Sequence, residues 1–144
     1  MGLVCVLVAE LFACSSSKSS QSAKVLDCQG ATPAVQPSEL ILACGDGSIR
    51  ATELHWTAWS ASGAQGSGTL VITNCSPNCA IGSRQQFPAD FELMSPKAVV
   101  GTTFLTELQI RFRGVGPPRT TAVRCRLSDP SFEGGCADQF ASAS

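Results

Sequence analysis

The sequence has no tyrosine, a single histidine and little net charge, and each scarcity narrows the range of functions. Ten basic and eleven acidic residues give a net charge of −1, which offers nucleic acid no excess of positive charge. Any serine or cysteine nucleophile that needs an imidazole base would have to use His55. The chain also lacks a Gly-x-Ser-x-Gly elbow, a phosphate loop and a dinucleotide motif. We therefore predict no nucleic-acid partner, no cofactor, no metal and no enzymatic activity.

No apolar run is long enough to cross a bilayer, but a shorter one opens the chain. Residues 3–13 are apolar except for Glu10, and they end in Leu11-Phe12-Ala13-Cys14. A leucine three places before a cysteine, with a small residue directly ahead of it, resembles the bacterial lipobox. We predict a signal peptide over residues 1–13, a lipid on Cys14 and hence attachment to the membrane. An ordinary secretory peptide and an apolar N-terminal strand are the alternatives.

The cysteine count also points to export. Eight cysteines in 144 residues indicate an oxidising compartment and a disulfide framework. Loss of Cys5 with the peptide and acylation of Cys14 would leave six, an even number. Residues 14–38 contain the acylated cysteine and a Ser- and Pro-rich stretch typical of a flexible tether, and residues 39–138 are the predicted β-domain. The predicted disulfide cysteines are Cys28, Cys44, Cys75, Cys79, Cys125 and Cys136.

Six cysteines allow fifteen pairings, and only topology discriminates among them. If the first three strands run up, down and up, Cys44 and Cys75 leave at the same edge, so we favour that pair, with Cys79 as the rival for Cys44. The other two predicted pairs are Cys125 with Cys136, across the Asp129-Pro130 turn, and Cys28 with Cys79. A zinc site is disfavoured by export and by the Cys-x3-Cys spacing; its ligands would be Cys44, His55, Cys75 and Cys79.

Strand-like alternation, with no helical periodicity of useful length, runs through the rest of the chain. It is clearest over residues 103–113, whose predicted inward side chains are Phe104, Leu108, Ile110 and Phe112, and residues 121–127 repeat it. We predict an all-β fold: an antiparallel β-sandwich or small barrel of six to seven strands, stapled by disulfides. If the last two strands pair, Glu107 must face Arg124 or Arg126.

The central stretch resembles a set of small secreted or lipid-anchored proteins of actinobacteria. Three motifs carry the resemblance: Leu42-x-Cys44-Gly-Asp-Gly, Leu54-x-Trp56-x-x-Trp59 and Asn74-Cys75-x-Pro77-Asn78-Cys79. Phe87-Pro88 and the strand over residues 103–113 continue it, so that it covers roughly residues 39–114, with Cys125 and Cys136 outside. The resemblance implies an envelope location and a shared fold. It implies no reaction and no catalytic residue.

Two surfaces are candidates for recognition. In a regular strand over residues 53–60, Trp56 and Trp59 point to opposite faces, with Trp56 in the core. Trp59 would then be exposed, where it could stack on a sugar ring, or covered by the loop over residues 75–82. The only charge cluster lies on the last hairpin and could touch anionic polymers or lipid head groups, or simply be solvated; it consists of Arg111, Arg113, Arg124 and Arg126.

The sequence thus predicts an exported envelope lipoprotein or secreted β-domain with a structural or recognition role. Its partner would be an envelope glycan, lipid or protein. One alternative is a small envelope hydrolase that uses His55 or a carboxylate pair, for which Asp46, Glu53, Asp90 and Glu92 qualify by type alone. Another is a carrier that holds an apolar ligand inside the barrel. The hydrolase needs His55 beside a hydroxyl or carboxylate, and the carrier needs a large apolar cavity.

Overall fold

A computed structural model describes residues 21–28, 30, 32–117 and 120–140, whose strands form one antiparallel sheet in which each strand pairs with the next along the chain. The sheet curls into a half-barrel. The elements are β1 (Leu40–Ile41), β2 (Ile49–Trp59), β3 (Ala64–Thr73), β4 (Arg84–Val99), β5 (Thr102–Phe112), β6 (Ala122–Arg126) and a short helix, α1 (Ala137–Phe140). The predicted all-β, antiparallel, disulfide-stapled fold is confirmed, and its six strands form a single curled sheet.

The core lies on the inner face of the sheet, as the alternation of the sequence requires. Phe91 and Leu93 of β4 face Ile110 and Leu108 of β5, and all four side chains are buried. Burial of each such side chain contributes about 1.5–3 kcal/mol, which fixes which face of each strand points inward. The predicted register of the last hairpin is confirmed, since Glu107 faces Arg126.

The predicted inward residues of β5 are buried to different degrees. Phe104, Leu108 and Ile110 are buried and Phe112 is partly buried, although Phe104 lies outside the connected cluster, to which the next residue, Leu105, belongs. The pairing of β4 with β5 is interrupted at Ser95, with the same register on both sides. Ser95 has a φ of 57°, and its carbonyl accepts a hydrogen bond from the Thr106 hydroxyl at 2.8 Å.

The segment over residues 21–38, predicted as part of a tether, is packed against the sheet. Ala23 and Val25 are buried, and the backbone of Lys24 runs beside β5: its N–H donates to the Thr103 carbonyl at 2.8 Å, and its carbonyl accepts from Leu105 N–H at 2.9 Å. β6 covers only the far half of β5, so this segment supplies partners for backbone groups that β6 leaves unpaired. We call residues 21–38 the arm.

The tether prediction is therefore wrong for the described residues 21–28, 30 and 32–38, which belong to the domain. Ala23 and Val25 are buried, and Lys24 pairs with Phe104 and Leu26 with Ser128, so this part of the arm docks next to the edge of β5 that β6 leaves unpaired. The predicted signal peptide over residues 1–13 and the lipid site at Cys14 lie outside the described residues.

The two edge strands, β1 and β6, do not pair with each other in the described part of the chain. Irregular segments bridge the gap between them. Gly135 pairs with Arg126, and Cys136 N–H donates to the Leu42 carbonyl at 2.7 Å. On the other side, Cys28 N–H donates to the Ile41 carbonyl at 3.4 Å. We call this gap, with the bridging residues 26–28 and 133–136, the seam.

Candidate functional site

The two tryptophans lie on the same face of β2, contrary to the prediction. Two bulges interrupt the pairing of β2 with β3. Trp56, just before the second bulge, faces Gly66, and Trp59, just after it, faces Ala64. The indole rings meet edge to face with their centroids 4.9 Å apart. A bulge inserts one extra residue, which reverses the side to which every later side chain points.

Both indoles hold the arm. Trp59 Nε1 donates to the Ala23 carbonyl and Trp56 Nε1 to the Pro37 carbonyl, each at 2.8 Å. Trp59 is half-buried against the core, so it is neither the exposed stacking platform nor the residue under the loop over residues 75–82. Its position removes Trp59 from the predicted recognition surface, because its polar edge is already bonded to the arm.

The glycines of β3 carry the signal that the sequence reasoning missed. A Cβ on Gly66 would lie 2.5 Å from the His55 carbonyl oxygen, and one on Gly68 would lie 2.7 Å from the Thr52 carbonyl oxygen. The bulged β2 therefore approaches β3 too closely for any side chain at these positions. β3 has glycine at two alternate positions opposite the strand that contains both tryptophans. A bulge could have been inferred from this pattern.

The structure divides the four arginines into two groups. Arg111 and Arg113 extend over β4, where Arg111 lies 3.9 Å from Glu92 and Arg113 is hydrogen-bonded to Asp90. The hydrogen bond from Arg113 holds the pKa of Asp90 below its usual value. On β6, the Arg126 guanidinium lies 3.8 Å from the centroid of the Phe132 ring, and Arg124 is exposed. The predicted cluster is thus one charge-compensated pair on β5 and two separate residues on β6.

Arg111 and Arg113 line a shallow groove on the outer face of β2–β5, which we call the outer groove. Its volume is about 300 Å³, and its polar lining consists of Thr57, Gln65, Ser67, Asp90, Glu92, Gln109, Arg111 and Arg113. The side chains offer hydroxyl, amide, carboxylate and guanidinium groups, so donors and acceptors alternate across it. Such a lining suits a ligand with many hydroxyl groups.

His55 lies next to the outer groove on the same face. Its cross-strand neighbour is Ser67, and the depression around them is also lined by Glu53 and Arg113. Glu53 accepts a hydrogen bond from the Thr69 hydroxyl at 3.2 Å. Among the described residues, no hydrogen bond joins the imidazole to a hydroxyl or carboxylate, so the arrangement that the hydrolase alternative requires is not assembled around His55.

The carboxyl groups whose pKa values shift are all held as anions. The backbone N–H of Ser48 lowers the pKa of Asp46, as Arg113 does for Asp90. A general acid for glycoside hydrolysis needs the opposite shift, towards a raised pKa. Asp46 and Asp90 are therefore suited to act as negatively charged hydrogen-bond acceptors and not as general acids.

A third shifted carboxyl, Asp129, belongs to a buried clamp that the sequence reasoning did not identify. Its side chain is fully buried, and Lys97 Nζ from β4 lies 3.0 Å from Oδ2. Hydrogen bonds from the hydroxyl and backbone N–H of Ser131, followed by Lys97, lower its pKa to about 2. The Asp-Pro-Ser turn was visible in the sequence, but its partner on β4 was not.

The cysteines form two disulfides, Cys75–Cys79 and Cys125–Cys136. The predicted Cys125–Cys136 pair is confirmed, whereas Cys44–Cys75 and Cys28–Cys79 are wrong. The segment after β1 does reach the same end of the sheet as these cysteines, since the Asp46 carboxylate lies within 4.8 Å of the Cys75 and Cys79 sulfurs. Cys44, however, points towards the seam, where its Sγ donates to the Gly134 carbonyl at 3.3 Å. The two nearest cysteines, four positions apart, pair instead.

Among the described residues, the proposed zinc ligands are not assembled, and the inside of the half-barrel has no room for an apolar ligand. The sulfurs of Cys75 and Cys79 are bonded to each other, so they offer no thiolates beside Asp46. The inner side of the half-barrel is filled by core side chains, among them Phe91 and Leu108. A cavity of about 490 Å³ does lie at one end of the sheet, but its lining mixes Ile72, Pro117 and Phe140 with polar groups.

Comparisons with known proteins give no relative: no protein-family model, curated protein or solved structure matches the chain. In the part of the chain that the structure describes, no helix has the length and apolar character needed to span a membrane. The resemblance to actinobacterial envelope proteins therefore stays a prediction.

Proposed function

We propose that this protein is an exported domain of a bacterial envelope, lipid-anchored through Cys14 or secreted, with a structural or recognition role and no catalytic activity. The observation that carries the proposal is the pair of disulfides, Cys75–Cys79 and Cys125–Cys136, in an all-β domain. Disulfides form and persist in oxidising, extracytoplasmic compartments. They agree with the lipobox-like leader, which predicts the same location on separate grounds.

The position of the arm is suited to an anchor. Trp59 binds Ala23 at the end of the sheet that carries the β2–β3 and β4–β5 turns. Cys14 precedes Ala23 by nine positions, and nine extended residues span at most about 30 Å. A lipid on Cys14 would hold this end of the sheet close to the bilayer. The loops over residues 74–83 and 113–117, at the other end, would then face away from it.

The outer groove is the recognition site we favour, and a hydroxyl-rich envelope glycan is the ligand class that its chemistry fits. The side chains of Arg111 and Arg113 are 61% and 59% exposed, although each has an acidic neighbour. Their guanidinium donors stay accessible beside the carboxylates of Glu92 and Asp90. Sugar hydroxyls can donate to the carboxylates and accept from the guanidinium groups at once.

Labelling with radioactive palmitate tests the anchor. A bacterial host that expresses the full chain should incorporate the label, and Cys14→Ala should abolish incorporation while Cys5→Ala leaves it unchanged. Globomycin should cause the uncleaved precursor to accumulate. Label that persists in Cys14→Ala refutes the lipid site. Unlabelled wild-type protein in the culture medium would select the secreted form.

Binding of the purified domain to immobilised envelope glycans tests the outer groove. Arg111→Ala combined with Arg113→Ala should weaken binding about tenfold or more, because both guanidinium donors are lost. Arg124→Ala is the matched control, since it removes an exposed arginine outside the groove. An equal loss in the control would mean that net charge, and not the groove, drives binding.

A further inference from the structure

The seam brings two thiols close together. Cys28, on the arm, lies near enough to Cys44, which follows β1, for the Cys44 thiol to help raise the pKa of Cys28. The Cys28 Sγ also approaches the Ile41 carbonyl at 3.5 Å, and Asp27 Oδ2 accepts a hydrogen bond from Ile41 N–H at 3.1 Å. These contacts fix residues 27 and 28 of the arm against β1, so the two thiols meet in an ordered part of the domain.

Cys44 is also fixed from the other side of the seam. Its Sγ donates to the Gly134 carbonyl at 3.3 Å, and a Cβ on Gly135 would lie only 3.1 Å from that sulfur. The absence of a side chain at Gly135 lets the C-terminal segment pass close to Cys44. The sulfur therefore lies between the arm and residues 134–136, where both bridging segments of the seam come together.

We propose that Cys28 and Cys44 form a third disulfide, which covalently closes the seam on the side of β1. The inference rests on the proposed export of the chain, since it requires an oxidising compartment. Cys125–Cys136 already ties β6 to the C-terminal segment. The new bond ties the arm to the end of β1. Together the two bonds secure both edges of a sheet that does not close through strand pairing.

The chemistry is an exchange with the disulfide of an extracytoplasmic thiol–disulfide oxidoreductase. Cys44, the exposed thiol, attacks first as its thiolate and forms a mixed disulfide, releasing one thiolate of the oxidoreductase. Cys28 then attacks the Cys44 sulfur and releases the second. Two thiols of this chain are oxidised, one disulfide of the partner is reduced, and the two protons pass to the partner's thiolates.

The order of attack follows from the surroundings of the two sulfurs. Burial, the hydrogen bond to Cys44 and the nearby charges of Cys44 and Asp27 raise the pKa of the Cys28 thiol to about 12. Cys28 is therefore a poor nucleophile towards a partner in solution, and it reacts only when Cys44 already presents a sulfur beside it. Reduced protein should accordingly be alkylated at Cys44 at least about tenfold faster than at Cys28 at neutral pH.

Peptide mapping of the full chain, exported from a bacterial host and alkylated before digestion without reductant, tests the pair. Trypsin alone leaves Cys28 and Cys44 in one peptide, 25–50, but cleavage after Glu39 separates them. We expect peptides 25–39 and 40–50 joined by a disulfide. The link between peptide 125–126 and the peptide that contains Cys136 is the internal control.

The outcomes separate this inference from the proposed function. Alkylated Cys28 and Cys44 beside an intact Cys125–Cys136 bond, or Cys44 bonded to Cys75, Cys79 or Cys136, overturns the inference alone. If all six cysteines are alkylated, the proposed export fails, and oxidation of the purified chain in a glutathione buffer then decides: Cys28–Cys44 must form together with Cys125–Cys136. Once formed, the bond should raise Tm by roughly 10 °C over Cys28→Ser combined with Cys44→Ser.

Discussion

The middle of the sheet and the seam are held together in different ways. β3, β4 and β5 pair along most of their lengths and bury Phe91, Leu93 and Leu108 between them and the rest of the core. The seam has no strand-to-strand ladder; single hydrogen bonds and the Cys125–Cys136 disulfide hold it. The middle of the sheet is stabilised by packing that is spread over many contacts, whereas the seam is stabilised by only a few contacts. We therefore expect the seam to open first and the centre to set global stability.

The largest effect should come from the centre. Phe91→Ala removes a fully buried ring next to Ile110 and should lower the free energy of unfolding by about 3–5 kcal/mol, because it leaves a cavity in a well-packed core. Urea denaturation followed by tryptophan fluorescence measures the loss. Val100→Ala, at a fully exposed turn, is the control and should change stability by less than about 0.5 kcal/mol. A loss below about 1 kcal/mol for Phe91→Ala would contradict the expectation that the middle of the sheet sets global stability.

The next effect should come from the seam disulfide. Replacing Cys125 and Cys136 by serine opens a loop of sequence separation 11 and should cost about 3 kcal/mol, from the regained entropy of the unfolded chain. The same change at Cys75 and Cys79, of separation 4, should cost about 2 kcal/mol. Hydrogen exchange at the backbone N–H of residue 136 should then become faster in the first variant only. Equal exchange in both variants would mean that the seam is not a separate opening unit.

A smaller effect should follow from loosening the arm. Trp59→Phe keeps a ring in place but deletes the hydrogen bond to the Ala23 carbonyl, at a cost of about 1 kcal/mol. Hydrogen exchange at Lys24 and Val25 N–H should accelerate about fivefold, while the amides of β4 are unchanged. Acceleration across the whole sheet would show instead that the arm and the centre open together.

The last effect should be confined to acid pH. Asp129 has a folded pKa of about 2 against an ordinary value of 3.8, so it contributes stability that is present above about pH 4 and is lost as pH falls towards 2. Asp129→Asn should lack this part of the acid dependence. Urea midpoints measured from pH 5 to pH 2 check it, and parallel curves for the two proteins would disprove the role of the clamp.

Much of the centre was predictable from the sequence, because alternation records which face of a strand is buried. The register of β5 with β6 followed from Glu107 and the arginines opposite it. The face of Trp59 could not be read in the same way, since a bulge at residue 57 shifts the alternation without changing composition. Only Gly66 and Gly68 recorded the close approach of the two strands.

The seam was predicted poorly because its contacts join distant, irregular segments. The arm looks like a tether by composition, and only the unpaired end of β5 makes Ala23 and Val25 dock. Cys44 was placed at the correct end of the sheet but was given the wrong neighbour, because periodicity does not say which way a loop side chain turns. Outside the seam, the clamp partners Lys97 and Asp129 likewise stand 32 positions apart and show no pattern that links them.

Docking of Lys24 beside Phe104 also sets an order in which parts of the fold can form during synthesis. Residues near the start of the chain complete a ladder that exists only after a strand eighty positions later has emerged. Until then the edge of β5 beside which Lys24 lies does not exist, so the first described residues cannot take their final place early. A polypeptide arranged in this way reaches its final shape only when nearly all of it has been made.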